Sequence, residues 1–252
     1  KIVYNKFMLF SKLSNLFKKN IYLFLIIILV FIIGLTNFKP DTFLLGWDSL
    51  STEFNPFLGI KRSVWSGWQE YQSFGLPAGM AHSADLIRSI FIYFLTFILP
   101  LNFVRYFFHL FCLLLGGIGA YYLFSKLFKN ESNFIYFIGS VFYILNLGTI
   151  QIFALAFEPF SVFFAFLPWL ILTFINYINS KKLFDKKYIT LLVIVNFLAT
   201  PMSYLQTLFF VYFLVLCFIS LGILLNSNNK IFTFKKLLIS SLFIFFINSF
   251  WI

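Results

Sequence analysis

Long runs of uncharged apolar residues, separated by short basic clusters, make up most of this chain of 252 residues. Because a helix of about 20 apolar residues crosses the hydrocarbon core of a bilayer, these runs predict transmembrane helices. We predict about seven spans, several of them short: Ile21–Phe38, Phe103–Leu127, Phe134–Leu147, Phe160–Ile178, Tyr188–Thr200, Tyr204–Leu225 and Leu237–Ile252. The predicted fold class is therefore all-α, in a polytopic integral membrane protein.

One further apolar stretch, Leu86–Pro100, decides on which side of the membrane every later loop lies. If it crosses, six Lys and Arg residues face the cytoplasm and thirteen face outward; if it does not, fourteen face the cytoplasm and five face outward. The positive-inside rule favours the second arrangement. We therefore expect a cytoplasmic N-terminus and an outer juxtamembrane helix, interfacial or re-entrant, which ends at Pro100.

The first outer loop, about residues 39–102, is the longest segment between predicted spans. Glycine and proline interrupt it repeatedly. It also carries aromatic residues typical of the membrane interface: Trp47, Trp65, Trp68, Tyr71 and Phe74. Long loops of this kind usually carry function.

The composition supports a membrane protein, since 61% of the residues are hydrophobic and 11% are charged. The net charge of +11 comes from clusters that flank apolar runs. Such clusters indicate membrane orientation and contact with anionic lipid, and we expect no nucleic-acid partner. Because the chain begins without Met and ends in an apolar run, we expect residues 1–252 to be the N-terminal part of a longer membrane module.

Six of the eight carboxylates face outward in this topology: Asp41, Asp48, Glu53, Glu70, Asp85 and Glu158. Acidic residues contribute little to orientation, so this distribution is also compatible with no functional role. Asp48 is a more specific candidate, because it follows the first span by ten residues and has Trp47 beside it. A carboxylate partly withdrawn from water at this place could act as a general base.

Arg105 and His109 stand four positions apart near the outer start of the second span, and so share one helix face. An arginine at this depth either extends its head group to the interface or pairs with an anion, for which a lipid phosphate is suitable. His82, Asp85 and Arg88 either join the same outer site or decorate an interfacial helix.

Motifs of soluble enzymes are absent from the sequence, including GxSxG, a glycine-rich phosphate loop, HExxH and paired cysteines at zinc spacing. Charges in the middle of the spans, which a flippase would need, are nearly absent, and no repeated halves typical of transporters are visible. A polysaccharide or lipid transporter or flippase, and a non-catalytic envelope-assembly protein, stay open as alternatives to an enzyme.

Three stretches within residues 40–178 carry a resemblance to known membrane enzymes. They read "GWDSLSTEFNPFLGIKRSVWSGWQEYQSFGLPAGMAHSADL", "LPLNFVRYFFHLFCLLLGGIGAYYLFSKL" and "SVFYILNLGTIQIFALAFEPFSVFFAFLPWLILTF". Together they resemble bacterial α-(1→3)-arabinofuranosyltransferases and, more distantly, the YfhO-like family. This places the resemblance in the GT-C superfamily of glycosyltransferases, which use polyprenyl-phosphate sugars and are usually longer than this chain.

The resemblance implies roles for particular residues. Asp48 matches the first-loop aspartate that acts as catalytic base, with Asp41 in "KPDTF" as the alternative. Glu158, together with Glu53, matches acidic residues that help to bind the acceptor or a divalent cation, Mg²⁺ or Mn²⁺. The donor phosphate would be met by three cationic or imidazole side chains: Arg105, His109 and Arg88.

The activity implied by the resemblance is an inverting sugar transfer at the outer face of the cell membrane. A polyprenyl-phosphate sugar, with arabinofuranose as one candidate, is the donor, and a cell-envelope glycan or glycolipid is the acceptor. The protein would work within the lipid bilayer and would need no nucleotide-binding loop.

Overall fold

The computed structural model of this chain describes residues 20–46, 55–68, 75 and 79–249. Within them the chain is all-helical, with eleven α-helices and one short 3₁₀ helix. The helices, in order, are α1 (Ile21–Asn37), α2 (Pro56–Val64), α3 (Gly79–Ala84), α4 (Leu86–Leu95), α5 (Leu101–Leu127), α6 (Asn133–Leu145), α7 (Leu147–Ala154), α8 (Glu158–Ile178), α9 (Lys186–Leu198), the 3₁₀ helix (Thr200–Tyr204), α10 (Gln206–Leu225) and α11 (Lys230–Asn248). The prediction of an all-α fold is confirmed for these residues.

Four of the described helices are long and apolar enough to cross a membrane, namely α5, α8, α10 and α11. The pair α6 and α7 adds a fifth if its two halves, bent by 45°, form one span. Helix α1 has 17 residues and α9 has 13, lengths of about 25 Å and 20 Å at 1.5 Å per residue. These two fall short of a full span, so the expected total of seven stays a prediction.

Large apolar side chains on the outer faces of these helices are exposed, as contact with hydrocarbon requires. Phe142 of α6, Phe218 of α10 and Phe246 of α11 each leave at least 70% of their surface uncovered. In a protein surrounded by water, side chains of this size at such exposure would form an unfavourable surface. The described bundle therefore has the character of a membrane-embedded protein.

Local side-chain chemistry ends two helices that hydropathy alone would continue. Asn146 adopts an extended backbone, and its side chain accepts a hydrogen bond from the Thr149 amide at 3.1 Å, which starts α7 as a new helix. After α9, Pro201 lies in the 3₁₀ helix, where its missing N–H is tolerated. The helix predicted over 134–147 therefore ends at Leu145, and the one predicted over 188–200 lies two residues earlier, at Lys186–Leu198.

Helix α4 has ten residues, a length of about 15 Å, which is too short to cross a bilayer. Arg88 in α4 and Arg105 in α5 both approach the carboxylate of Glu158. The chain between Arg88 and Arg105 therefore begins and ends beside the same carboxylate. The expectation that Leu86–Pro100 does not cross the membrane stays a prediction.

Helices α5 and α8 pack side by side in parallel and form the centre of the bundle. Arg105 near the start of α5 meets Glu158 at the start of α8. Further along the same pair, the Trp169 indole N–H donates to the Leu115 carbonyl at 2.9 Å. The starts of both helices therefore lie at one end of the bundle, which we call the site end.

Two glycines in α5 allow α8 to approach closely. A Cβ atom at Gly116 would overlap the ring of Phe164, and one at Gly119 would overlap the indole of Trp169. Small residues play this role in membrane helix pairs, because close van der Waals packing replaces the hydrophobic driving force of water. The packing of α5 on α8 sets the relative position of the polar side chains at the site end.

At the opposite end of the bundle, a lysine from α11 closes the C-terminus of α8. The buried Lys236 ammonium donates to the carbonyls of Tyr177 and Ile178 at 3.1 and 3.2 Å, to the Ser180 carbonyl, and to the Ser180 hydroxyl at 2.8 Å. A cation at this place also complements the negative end of the helix dipole. Lys236 therefore holds α8 and α11 together at the end remote from the site.

Candidate functional site

The carboxylate of Glu158 is the centre of a buried charge cluster at the site end. Glu158 is the first residue of α8, where the helix dipole favours a negative charge, and only 6% of its surface is exposed. Its Oε1 lies 2.8 Å from Nε of Arg105 and 3.9 Å from Nη1 of Arg88. One carboxylate thus lies between two guanidinium groups that come from α4 and α5.

Arg105 connects three parts of the chain through its guanidinium group. Besides the ion pair with Glu158, Nη1 donates to the Leu44 carbonyl at 2.9 Å and Nη2 to the Ala156 carbonyl at 3.1 Å. Ala156 has a φ of 45°, an unusual conformation for a residue with a Cβ. The turn before α8 is therefore held in a conformation that directs its carbonyl at Arg105.

Gly46 brings the first-loop backbone directly against this cluster. A Cβ atom at Gly46 would overlap the Arg105 guanidinium and the Ala156 carbonyl oxygen, so no side chain fits there without displacing them. Gly46 stands two residues before Asp48 in the sequence. Asp48 and Glu53 themselves lie outside the described residues.

Arg88 is held by a second carboxylate, that of Asp85 immediately before α4. Its Nε donates to Oδ1 of Asp85 at 2.6 Å and its Nη2 to Oδ2 at 2.5 Å, a two-pronged pair. The Ser89 hydroxyl also donates to Oδ2, at 3.3 Å. Asp85, Arg88, Glu158 and Arg105 therefore form one continuous row of alternating charges.

A small cleft opens beside this row. Its lining comes from five helices and the residues beside them: Gly59, Arg62, Ser63, His82, Asp85, Arg88, Phe157, Glu158, Pro159 and Tyr204. The cleft has a volume of about 30 Å³, roughly the space of a single water molecule. The cleft that the described residues form is therefore too small to hold a sugar ring.

His82 lies in this cleft, with its ring edge-to-face against Tyr204 at a centroid distance of 5.6 Å. Burial lowers the pKa of His82, the positive charge of Arg62 lowers it further, and Asp85 partly opposes the shift. The imidazole is therefore kept neutral more readily than a histidine in water. The sequence predicted His82, Asp85 and Arg88 either in the outer site or on an interfacial helix. In the structure all three line the cleft.

His109 lies one turn below Arg105 on the face of α5 that packs against α8. Its Nδ1 is 2.8 Å from the Ser161 hydroxyl, which in turn donates to the Phe157 carbonyl at 3.3 Å. The hydroxyl has one proton, so Nδ1 donates to Ser161 in the tautomer that leaves this proton for the Phe157 carbonyl and accepts from Ser161 in the other tautomer. The shared face predicted for Arg105 and His109 is confirmed, but His109 does not line the cleft.

Asp41, the alternative base, occupies a different environment from the cluster. It lies in an exposed turn with a φ of 58°, a conformation that aspartate tolerates better than most residues. The Thr42 hydroxyl that follows is hydrogen-bonded to the Lys39 carbonyl at 2.7 Å and lies 3.1 Å from the Tyr106 hydroxyl. The surroundings of Asp41 indicate a role in the turn.

Sequence reasoning did not find Arg62, Ser63 and Tyr204. A signal for the first two existed, since Gly59, Arg62, Ser63 and Ser66 follow the spacing of one helix face in an otherwise aromatic segment. Tyr204 carried no comparable signal, because only the folding of the 3₁₀ helix against α3 brings it to the cleft.

Among the described residues, no group of three or more His, Cys, Asp and Glu side chains lies close enough to hold a metal ion. The Glu158 carboxylate also faces two guanidinium groups, which would repel a cation. The described part of the site therefore does not fit the Mg²⁺ or Mn²⁺ that the resemblance implies.

No protein-family model, no curated protein and no solved structure matches this chain.

Proposed function

We propose that this protein is a membrane glycosyltransferase that moves a sugar from a polyprenyl-phosphate donor to a cell-envelope acceptor. The observation that carries the proposal is the cluster of Glu158, Arg88 and Arg105, placed at one end of an apolar bundle beside a polar cleft. Buried charges in membrane proteins are costly and tend to mark functional sites. The sequence resemblance to the GT-C superfamily supplies the reaction class.

The cationic side chains of the cleft are suited to a phosphate group. Arg62 lines the cleft from α2, and Arg88 lines it from α4, where it is paired with Asp85. We assign Arg62 and Arg88 to the donor phosphate, since guanidinium groups bind phosphate oxygens in pairs. Arg105 does not line the cleft, and its nitrogens reach Glu158 and the carbonyls of Leu44 and Ala156, so we assign it to positioning the site.

An apolar groove beside the cluster is suited to the lipid part of such a donor. It runs between α1 and α5, has a volume of about 540 Å³, and is lined by aromatic and aliphatic side chains that include Phe31, Phe38, Phe103 and Phe107. Phe103 and Phe107 flank Arg105 in sequence, so the groove and the charge cluster lie on neighbouring faces of the first turns of α5. An isoprenoid chain could follow the groove while its phosphate reaches the polar end.

The proposed reaction needs a base, a nucleophile and a stabilised leaving group. Asp48 removes the proton from an acceptor hydroxyl, whose oxygen attacks the anomeric carbon of the donor. The bond from that carbon to the phosphate oxygen breaks, and its electron pair stays on the departing polyprenyl phosphate. Arg62 and Arg88 would stabilise the charge that develops on this phosphate. No step in this scheme requires a metal ion.

The test is transfer of radiolabelled arabinofuranose from its polyprenyl-phosphate donor in proteoliposomes that contain the complete protein. We expect Asp48→Asn to reduce turnover by about 10²–10⁴-fold, since general-base catalysis contributes this much. Asp41→Asn and Glu53→Gln should have milder effects. Near-normal turnover of Asp48→Asn with loss of activity in Asp41→Asn would assign the base to Asp41 instead.

A second comparison tests the phosphate assignment. Arg62→Gln should raise the donor KM. Lys61→Gln changes the net charge by the same amount on the exposed side of α2 and should leave the donor KM unchanged.

If polyprenyl-phosphate sugars cross the membrane in the same vesicles without any sugar transfer, the protein is a transporter and the glycosyltransferase proposal is wrong.

A further inference from the structure

Helix α2 presents its polar side chains to the protein and its aromatic side chains outward. The inward stripe is Gly59, Arg62, Ser63 and Ser66, at the spacing of one helix face. Ser63 and Ser66 are only 5% and 6% exposed, and Gly59, Arg62 and Ser63 line the cleft. The arrangement is the reverse of a surface helix in a water-soluble protein, whose apolar face points inward.

The outward face of α2 and of the turn that follows it is dominated by large apolar side chains. Phe57 is 56% exposed, Val64 57%, Trp65 72% and Trp68 57%. Lys61, on the same face, is exposed as well. Tryptophan beside a basic residue is typical of the boundary between lipid headgroups and acyl chains, where the ring is half-buried and the cation meets phosphate.

This face continues into a surface that belongs to the membrane-embedded part of the molecule. The ring of Phe57 contacts that of Tyr93 in α4 at a centroid distance of 5.7 Å. Beyond Tyr93, α4 and the turn after it expose Phe94, Phe97 and Ile98 at 61%, 70% and 80%. The outward face of α2 is thus the edge of a larger apolar surface that leads to the start of α5.

We propose that the outward face of α2, formed by Phe57, Val64, Trp65 and Trp68, inserts into the interfacial layer of a phospholipid bilayer. Two observations favour lipid over a protein partner: the continuity with the surface of α4, and the exposed Lys61 at the level of the aromatic rings, with which an anionic headgroup can pair. The partner is the lipid bilayer itself, through its headgroup phosphates and upper acyl carbons.

Insertion of α2 fixes the depth of the cleft. The polar stripe that contains Arg62 and Ser63 lies across the helix from the face of Phe57, Lys61 and Val64. An α-helix with its side chains is about 10 Å across, so the cleft lies within one helix diameter of the lipid headgroups. A ligand whose phosphate belongs to a membrane lipid would therefore reach Arg62 without leaving the bilayer.

Tryptophan fluorescence in proteoliposomes tests the insertion and needs no enzymatic activity, so its outcome is independent of the proposed function. Three variants each retain one tryptophan, Trp65, Trp68 or Trp169, with the other four replaced by phenylalanine. The vesicles contain phosphatidylcholine and phosphatidylglycerol, with part of the phosphatidylcholine brominated at shallow or at deep positions of the acyl chain.

We expect Trp65 and Trp68 to lose most of their emission to the shallow bromines and less to the deep ones. Trp169, which is half-buried and packs against α5 with its indole N–H on the Leu115 carbonyl, is the control and should lose less emission than Trp65 and Trp68 to the shallow bromines. Emission of Trp65 that is quenched by aqueous iodide but not by brominated lipid would overturn the proposal, and so would emission that neither quencher reaches.

A spin label gives the same answer if the phenylalanine replacements impair folding. The variant Val64→Cys, combined with Cys112→Ala and Cys217→Ala, carries a single nitroxide on the same outward face. Insertion predicts that dissolved oxygen relaxes the label more strongly than a water-soluble nickel chelate does. The opposite order would place α2 in water and overturn the proposal.

Discussion

Nε of Arg105 lies 2.8 Å from Oε1 of Glu158, and each residue is only 6% exposed. The pair joins the starts of α5 and α8, so it fixes how the two central helices are aligned along their length. Removing one member of a buried ion pair leaves the other charge without compensation, which costs more than the pair itself contributes. The stability of the site end should therefore depend strongly on this contact.

Glu158→Gln should lower the free energy of unfolding by about 3–5 kcal/mol, because it leaves Arg88 and Arg105 facing a neutral amide. Thermal unfolding of the detergent-solubilised protein would measure the effect. The matched control is Glu131→Gln, which removes an exposed carboxylate and should change stability little. Adding Arg105→Gln to Glu158→Gln should cost less than the sum of the two single changes. Simple additivity would show that the pair is not coupled.

Gly46→Ala should disturb the contacts of Arg105, because the new methyl group overlaps the guanidinium and the Ala156 carbonyl. We expect a loss of about 1–3 kcal/mol, as for other overpacked sites. Gly67→Ala provides the comparison, since a Cβ at Gly67 meets nothing within 4 Å. Equal unfolding temperatures for the two variants would contradict the close approach of the first loop to Arg105.

The glycines of α5 allow a separate test of the helix pair. Gly116→Ala pushes a methyl group against Phe164 and should destabilise the α5–α8 contact by about 1–3 kcal/mol. In α10, a Cβ at Gly222 meets nothing within 4 Å, so Gly222→Ala should stabilise its helix by up to about 1 kcal/mol. The signs of the two shifts in unfolding temperature should be opposite, and a stabilised Gly116→Ala would rule out tight packing at this point.

The lowered pKa of His82 predicts that acid destabilises the cleft. The unfolded chain binds a proton at His82 near pH 6.5, whereas the folded protein binds it only at lower pH, because of burial and of Arg62. The contribution to stability is therefore complete above pH 6.5 and is lost as the pH falls through the lowered pKa. His82→Gln should reduce this pH dependence when unfolding temperatures are compared between about pH 5 and 8. An unchanged pH profile would show that His82 is not the group responsible.

Lys236→Met should weaken the end of the bundle remote from the site. The change removes the hydrogen bonds that a charged donor makes to three carbonyls and a hydroxyl. A hydrogen bond that involves a charged group contributes about 1.5–3 kcal/mol. The contribution is smaller where one N–H is shared between two acceptors. Lys235→Met alters the net charge equally at an exposed position and should have little effect on the unfolding temperature. Similar losses in both variants would indicate a general effect of charge.

The long helices could be predicted from sequence because an apolar run of about 20 residues has few alternatives in a bilayer. The span predicted over 103–127 corresponds to α5 (Leu101–Leu127), and the span predicted over 160–178 corresponds to α8 (Glu158–Ile178). The break at Asn146 could not be predicted in this way, since it depends on a side-chain hydrogen bond within a continuous apolar run.

The candidate site could be predicted only within single elements. The common face of Arg105 and His109 follows from their spacing, whereas the contact of Arg105 with Glu158 depends on the parallel packing of two helices remote in sequence. Arg62 was missed because its role depends on which face of α2 meets the protein. The roles of Asp48 and Glu53 stay predictions, because both lie outside the described residues.

The ribosome makes α8 before α11, so the hydrogen bonds between Lys236 and the end of α8 form late in synthesis. The Ile178 carbonyl can accept its hydrogen bond from the Lys236 ammonium only after 58 more residues have been added to the chain. At roughly 5–20 residues per second, that delay is on the order of 3–12 s. During this interval the last carbonyls of α8 must be satisfied by water or by lipid headgroups. Arrival of α11 replaces these transient partners, so the bundle acquires its closed form late in biosynthesis.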